Sequence, residues 1–358
     1  MPIRVLPQEV ANQIAAGEVV ERPASVVKEL VENARDAGAG AISVELEEGG
    51  KRLIRVSDDG AGIPAGEVEL AFHRHATSKL ASVHDLQRIA TLGFRGEALA
   101  SIASVSRLTL VTRAEGEAMG TRLYLEGGQV LSHDITGAPR GTLLTVENLF
   151  YNVPARLKFL KTETTERGRI HDALSRYAMA YPGVRFALAH GQQELLHTTG
   201  SGEPPGRGGL PDVLRGVAGR GPAAQLSPAE ALGGGPARRD LPPIHVSGYV
   251  GLPSLNRANR SHITLFVNGR WIQDSSLSYA VVQAYHTMLM TGRYPVAVVM
   301  IDLPPELVDV NVHPTKAEVR FRDQNAVFSA VQRAVRRTLV EQAPPPAVHA
   351  SSIWSSPE

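Results

Sequence analysis

Glu29 and Asn33 stand one helical turn apart in Glu29-Leu30-Val31-Glu32-Asn33, a spacing that puts a carboxylate and an amide on one stripe of a helix. Asp58-Asp59-Gly60-Ala61-Gly62 and Gly93-Phe94-Arg95-Gly96-Glu97 follow later in the chain. A carboxylate beside an amide offers a general base next to a hard oxygen ligand. An aspartate at a strand end can accept a hydrogen bond from an exocyclic amino group, as on adenine, and glycines let the backbone approach a flat ligand. These are the parts of a nucleotide site. The sequence G-x-x-x-x-G-K-[ST] does not occur, and Gly49-Gly50-Lys51 lacks both its spacing and its hydroxyl. A nucleotide would therefore be held without that loop.

The elements that must position these residues can be read from periodicity. Pro23 suits a first helical turn and Gly38 a stop, which predicts a helix over 23–37. Val26, Val27, Leu30, Val31, Ala34 and Ala37 form its apolar arc, with Lys28, Glu32 and Arg35 on an opposite, solvated face. Glu29, Asn33 and Asp36 fall on the margin between them, where a side chain can be fixed by packing and still face a cleft. An ordinary amphipathic helix would show the same pattern. Ile42, Val44 and Leu46 then alternate with polar residues, Glu48-Gly49-Gly50 turns the chain, and Leu53–Val56 returns. That hairpin would leave Asp58 at the end of its second strand, although Asp-x-Gly-x-Gly alone is equally a plain turn. Gly93–Gly96 precede a helix start at Glu97-Ala98-Leu99, whose free N–H groups and positive dipole end suit phosphate. Thr77, Ser78 and Lys79 add hydroxyls and a cation before it.

In this order the motifs resemble those of the GHKL ATPases, and their wording resembles the MutL-type DNA mismatch repair proteins. The carriers include Asn12–Val20, Lys28–Asn33, Asp36-Ala37-Gly38, Arg74–Lys79, Gly93–Leu99, Phe150-Tyr151-Asn152, Val267-Asn268-Gly269-Arg270 and Val310–Lys316. The resemblance runs from Pro2 to about Leu339, nearly the whole chain. It implies an α+β chain: a GHKL (Bergerat) ATP-binding sandwich followed by a ribosomal-S5-domain-2-like α/β domain. It implies ATP and Mg²⁺ as ligands, with Glu29 as general base, Asn33 positioning Mg²⁺, and Asp58 reading adenine with help from Thr142. Asp36, Gly60, Gly62, Thr77, Ser78, Lys79 and the stretch Gly93, Phe94, Arg95, Gly96, Glu97, Ala98, Leu99 would complete the nucleotide site. Lys316 would reach the γ-phosphate from the second domain. Nucleotide binding would order a lid and drive homodimerisation, and Arg270, with Arg257 and Arg260, would line a DNA groove. A MutS-like mismatch sensor and a downstream nuclease or helicase are the further partners implied. Asp59 stands where many family members carry Asn, and its charge would raise the pKa of Asp58 by repulsion.

Composition sets bounds on this. A chain of 358 residues with 43% hydrophobic side chains predicts two domains with proper cores. We expect the ATPase domain over 1–200, a Gly/Pro-rich linker over 201–211, the second domain over 212–341 and a disordered linker start over 342–358. The absence of Cys excludes disulfides and thiolate zinc sites. No apolar run approaches the ~20 residues of a membrane span, which predicts a cytoplasmic protein with no membrane partner, and the resemblance implies that it is nucleoid-associated. A net charge of +1 leaves DNA affinity to local clusters of Arg and Lys. His73, His75 and His313 have no carboxylate at ligand spacing and are expected to have structural or lid roles rather than to bind a metal. Two rival readings share the nucleotide site: a type II topoisomerase ATPase half, and a nucleotide-sensing adaptor with negligible turnover.

Overall fold

The structure, a computed structural model, describes residues 16, 17, 19–79, 92, 93, 96–200, 210, 211, 213, 214, 226–233 (backbone), 244–309 and 318–341. The helix expected over 23–37 is α1, Pro23–Asp36, with proline in its first turn. The hairpin is β1 (Ala41–Glu47) and β2 (Leu53–Asp58), antiparallel with Leu46 opposite Ile54 and Ile42 opposite Asp58. Its turn places Glu48, Gly49 and Gly50 at φ of 51°, 67° and 86°, and a Cβ on Gly49 would lie 2.7 Å from the Glu163 carbonyl oxygen. Glycine is required there by both conformation and space.

A short helix α2 (Ala98–Ser104) leads into β3 (Arg107–Arg113), β4 (Gly120–Glu126), β5 (Gln129–Thr136) and β6 (Gly141–Glu147). Helices α3 (Pro154–Phe159) and α4 (Glu163–Ala180) and strands β7 (Arg185–His190) and β8 (Gln193–His197) complete the first unit. Its eight strands run in the order β5-β4-β3-β6-β2-β1-β7-β8, antiparallel except for the β1–β7 pair. Val26, Val27, Leu30 and Val31 of α1 and Ile170, Leu174 and Ala178 of α4 pack on the sheet residues Val44, Leu46, Ile54 and Val56. This is the layered α+β sandwich expected from the sequence.

The second sheet uses β9 (Leu226–Gly233), β10 (Ile244–Gly251), β12 (Ile263–Val267), β13 (Arg270–Ile272) and β15 (Ala297–Asp302), in the order β13-β12-β15-β10-β9. Two-residue strands β11 (Asn256–Arg257) and β14 (Tyr294–Pro295) pair with each other, as do β16 (Val308–Asp309) and β17 (Arg320–Phe321). Helices α5 (Ser275–Ala284) and α6 (Gln324–Glu341) cover one face. Strand alternation explains how the two units join. Leu265, Val267, Ala297, Val299 and Ile301 face α5 and α6, whereas Phe266, Val298, Tyr249, Trp271 and Met300 pack with the first core. Both faces being covered, β15 reads as an unbroken apolar run rather than an alternating one. Leu210, Val213 and Leu214 also pack in the first core, so chain beyond residue 212 still touches the first unit.

Candidate nucleotide site

The C-terminal end of α1, the end of β2 and the segment at Leu92 and Gly93 converge on one region. Asp36 is its hub. Its Oδ1 accepts the Leu92 N–H at 3.0 Å, and its Oδ2 accepts the Gly93 N–H at 3.1 Å and a Lys79 ammonium hydrogen at 2.5 Å. The same Lys79 Nζ donates to Asn33 Oδ1 at 2.9 Å. A Cβ on Gly93 would lie 3.1 Å from Lys79 Nζ, 3.4 Å from Asn33 Oδ1 and 3.6 Å from Asp36 Oδ2, so glycine lets this segment approach the three side chains closely. An amide oxygen and a carboxylate around a cation are the hard oxygen donors that Mg²⁺ takes, and Mg²⁺ retains waters and needs few protein ligands. No cluster of three or more His, Cys, Asp or Glu able to hold a metal occurs among the described residues. The donor set thus suits a magnesium carried in with phosphates and suits no closed protein site.

Thr77 sits in the same loop, where its Oγ1 accepts the Lys79 N–H at 3.1 Å and shapes the approach of the lysine. Ser78 is exposed. Gly96, at φ 63°, lies against the Ala76 backbone and its carbonyl accepts the His75 N–H at 3.0 Å. Glu97 Oε1 lies 3.3 Å from His75 Nδ1 at the surface, Ala98 opens α2, and Leu99 packs on the core. Phe94, Arg95, His313 and Lys316 lie outside the described residues.

Asp58 ends β2 opposite Thr142 of β6. Its Oδ1 accepts the Gly60 N–H at 2.9 Å, and Thr142 Oγ1 lies 3.1 Å from Thr112 Oγ1. Burial raises the Asp58 carboxyl above its ordinary pKa, opposed by backbone hydrogen bonds from Gly60 and Thr142. The repulsion from Asp59 expected from the sequence is present but is the smallest of these effects. Asp59 turns the other way: its Oδ1 accepts the N–H groups of Gly40 and Ala41 at 2.8 and 2.9 Å, tying the start of β1 to the end of β2. Gly62, at φ 72°, is where the chain crosses β3, and a Cβ there would lie 2.2 Å from the Arg113 carbonyl oxygen. Thr112 and Arg140 had no motif to mark them. Thr112 Oγ1 accepts the Ile63 N–H at 2.9 Å, and Arg140 Nε donates to the Gly60 carbonyl at 3.2 Å, so both hold the 60–63 turn.

Glu29 is 17% exposed and accepts from Lys28 Nζ at 3.2 Å. The solvated face expected for Lys28, Glu32 and Arg35 is a correction. Helix α4 covers it: Glu32 is 3% exposed and accepts from the Tyr177 hydroxyl at 2.7 Å, and the Arg35 guanidinium stacks on the Tyr181 ring at 4.7 Å. Burial pulls the Lys28 ammonium down, but Glu32 and Glu29 outweigh it and leave its pKa raised. Desolvation, with Glu32 close by, pushes the Tyr177 hydroxyl well up, so it stays a donor.

Of the three cations expected to line one groove, Arg270 differs from Arg257 and Arg260 in being buried. Arg257 and Arg260 lie near Tyr294, the latter with its guanidinium 5.2 Å from the ring centre, on strand β11 and the turn after it. Arg270 is 9% exposed at the junction of the two units, with Nη2 3.5 Å from the Leu92 carbonyl oxygen. Its neighbour Asp274 caps α5 by accepting the Leu277 N–H at 2.8 Å.

Comparison with known proteins finds relatives for both units. Residues 21–130 match the family described as histidine kinase-, DNA gyrase B- and HSP90-like ATPase. Residues 230–340 match the DNA mismatch repair protein, C-terminal domain. The chain is 48% identical over 337 residues to the DNA mismatch repair protein MutL of Geotalea daltonii, covering 94% of this chain and 54% of that protein. It therefore spans about half the length of the curated relatives it matches. Among solved structures, the N-terminal domain of a DNA repair protein superposes with a TM-score of 0.77 at 25% identity, over 93% of this chain and 98% of that one. The Aquifex aeolicus MutL ATPase domain, solved with ADP, superposes with a TM-score of 0.57 at 30% identity, over 80% of this chain and 94% of that one. On this fold, these motifs and these relatives, the chain belongs to the MutL family of DNA mismatch repair proteins and corresponds to their GHKL ATPase region.

Proposed function

We propose that this chain is the ATP-binding and ATP-hydrolysing head of a DNA mismatch repair protein. The convergence of Asn33, Asp36, Lys79 and Gly93, beside Glu29 on the helix that carries Asn33 and Asp36, carries the reading. Glu29 acts as general base. It takes a proton from a water as that water's oxygen bonds to the γ-phosphorus, the bond to the bridging oxygen breaks, and ADP leaves as the new phosphate forms. Asp58 accepts from the exocyclic amino group of adenine, with the Thr142 and Thr112 hydroxyls beside it. Lys79 and the backbone from Gly93 hold phosphate oxygens, and Lys316 adds a cation from the second domain. Asn33 would hold Mg²⁺, which when bound neutralises charge on the phosphates. Dimerisation of two such heads on ATP binding follows if the second domain moves with the nucleotide. We assign sequence-independent DNA contact to Arg257 and Arg260, and the repair role implies a mismatch sensor and a downstream nuclease or helicase as partners.

No helix among the described residues is long and apolar enough to cross a membrane. The experiment is calorimetric titration with ATP, GTP and a non-hydrolysable ATP analogue. Selective binding of the adenine nucleotides supports the proposal, and equal affinity for GTP removes Asp58 as its reader. A topoisomerase half is disfavoured by three relatives at 47–48% identity, each a DNA mismatch repair protein MutL matched over 94% of this chain.

A further inference from the structure

Helix α1 meets α4 through two polar rungs. The Tyr177 hydroxyl donates to Glu32 Oε1 at 2.7 Å, and the Arg35 guanidinium stacks on the Tyr181 ring at 4.7 Å. Glu32 and Arg35 stand three residues apart on α1, and Tyr177 and Tyr181 four apart where α4 ends. Successive turns of each helix therefore face one another, which fixes the register of the pair. Ile170, Leu174 and Ala178 on α4 lie in the same core as Leu30 and Val31 on α1, and Tyr177 packs against that core beside them. No motif marks Tyr177 in the sequence.

A carboxylate that is 3% exposed is costly unless donors receive it. The Tyr177 hydroxyl and the Lys28 ammonium meet Glu32 at one oxygen: Oε1 accepts from the hydroxyl and lies 3.5 Å from Lys28 Nζ. The same Nζ donates to Glu29 Oε1 at 3.2 Å. Lys28 thus stands between two carboxylates, the buried Glu32 and the residue read above as the base. Both charges act on the ammonium, that of Glu32 the more strongly. Its side chain is 30% exposed, which leaves room to shift from one carboxylate to the other. A hydrogen bond from Tyr177 spreads the charge on Glu32 Oε1 and weakens its pull on Lys28.

We propose that Tyr177 is a positioning residue for ATP hydrolysis: by satisfying Glu32 it leaves Lys28 on Glu29 Oε1, where the ammonium keeps the base ionised and aimed. The proposal rests on the nucleotide reading above, in which Glu29 takes the proton from the attacking water. Tyr177 acts through Glu32 and Lys28 and needs no contact with the nucleotide. A purely structural hydroxyl would set stability and leave turnover per folded molecule alone. A positioning one sets kcat while nucleotide affinity stays as it is.

The test uses the whole chain with Tyr177→Phe, alone and combined with Glu32→Gln. It reads kcat and KM for ATP, affinity for a non-hydrolysable ATP analogue, and Tm. Tyr177→Phe should lower kcat about tenfold, with analogue affinity within about twofold of wild type, because the unsatisfied Glu32 draws Lys28 off the base. Glu32→Gln removes the competing charge, so the double variant should recover most of kcat. Mere loosening of the α1–α4 contact would not be reversed by a second change in the same place. Should Tyr177→Phe fail to fold, Lys28→Met carries the test: loss of the ammonium should give the same fall in kcat with binding kept, and unchanged kcat there would overturn the proposal. Unchanged kcat in folded Tyr177→Phe, or a fall that Glu32→Gln deepens, would overturn it while the nucleotide reading stands. A wild type that neither binds nor hydrolyses ATP would overturn the nucleotide reading, and the proposal would fall with it.

Discussion

Lys79 donates a 2.5 Å hydrogen bond to Asp36 across 43 residues of chain. An ammonium so placed sits between a carboxylate and an amide oxygen, where a divalent cation and phosphates would compete for the same partners. The resting site thereby carries its own counter-charge, and nucleotide binding must redirect a lysine rather than merely fill a space.

From this exchange, Lys79→Ala should weaken ATP binding by about 1.5–3 kcal/mol, the range for hydrogen bonds to charged groups. The same variant should leave the fold intact, because Asp36 keeps the Leu92 and Gly93 N–H bonds. Calorimetric titration checks both points, and wild-type affinity in the variant would remove Lys79 from phosphate contact.

Asp58 sets stability against binding. Its folded carboxyl pKa is raised, chiefly by burial, so the folded state favours the protonated form. The group's contribution is then fully present below its ordinary pKa of 3.8 and is lost as pH rises through the raised folded value. Asp58→Asn should therefore raise the Tm of the nucleotide-free protein at neutral pH, with the gain shrinking on acidification to below pH ~4. It should also weaken ATP binding by about 1–3 kcal/mol through a lost bond to the base edge. A lower Tm at pH ~7 with unchanged ATP affinity would contradict both halves.

Asp59 has a separable task. Asp59→Asn keeps one acceptor for Gly40 and Ala41 and should be mild, whereas Asp59→Ala should cost about 1 kcal/mol of stability at this exposed site. Neither should change ATP affinity more than about twofold. Denaturant unfolding and titration measure this, and a collapse in affinity would mean that Asp59, not Asp58, meets the base.

The parts of the site carried by local pattern were legible in the sequence. Helix α1, the β1–β2 hairpin and the place of Asp58 follow from periodicity and turn glycines, and their bounds shifted by one or two residues. Strand β5 was not legible, because it is an edge strand with its side chains exposed on both faces and shows no alternation. Glu32 and Arg270 are the instructive cases. Charge predicts solvent for both, and each is buried by an element distant in sequence, α4 for the first and the facing domain for the second. No window of local sequence contains that information.

Lys316 would supply the cation that joins the second domain to the γ-phosphate. Lys316→Ala should lower turnover and weaken ATP-dependent dimerisation while the Tm stays near that of wild type. Sedimentation velocity with a non-hydrolysable ATP analogue reads the dimer, and normal dimerisation in the variant would end this interdomain role.

The central claim is hydrolysis of ATP with Glu29 as base, and phosphate release under Mg-ATP by wild type and by Glu29→Gln tests it most directly. The account predicts measurable release by the wild type and a fall of about 10²–10⁴-fold in the variant, which should still bind ATP. No release by the wild type, or turnover in Glu29→Gln within a few-fold of it, would contradict the account.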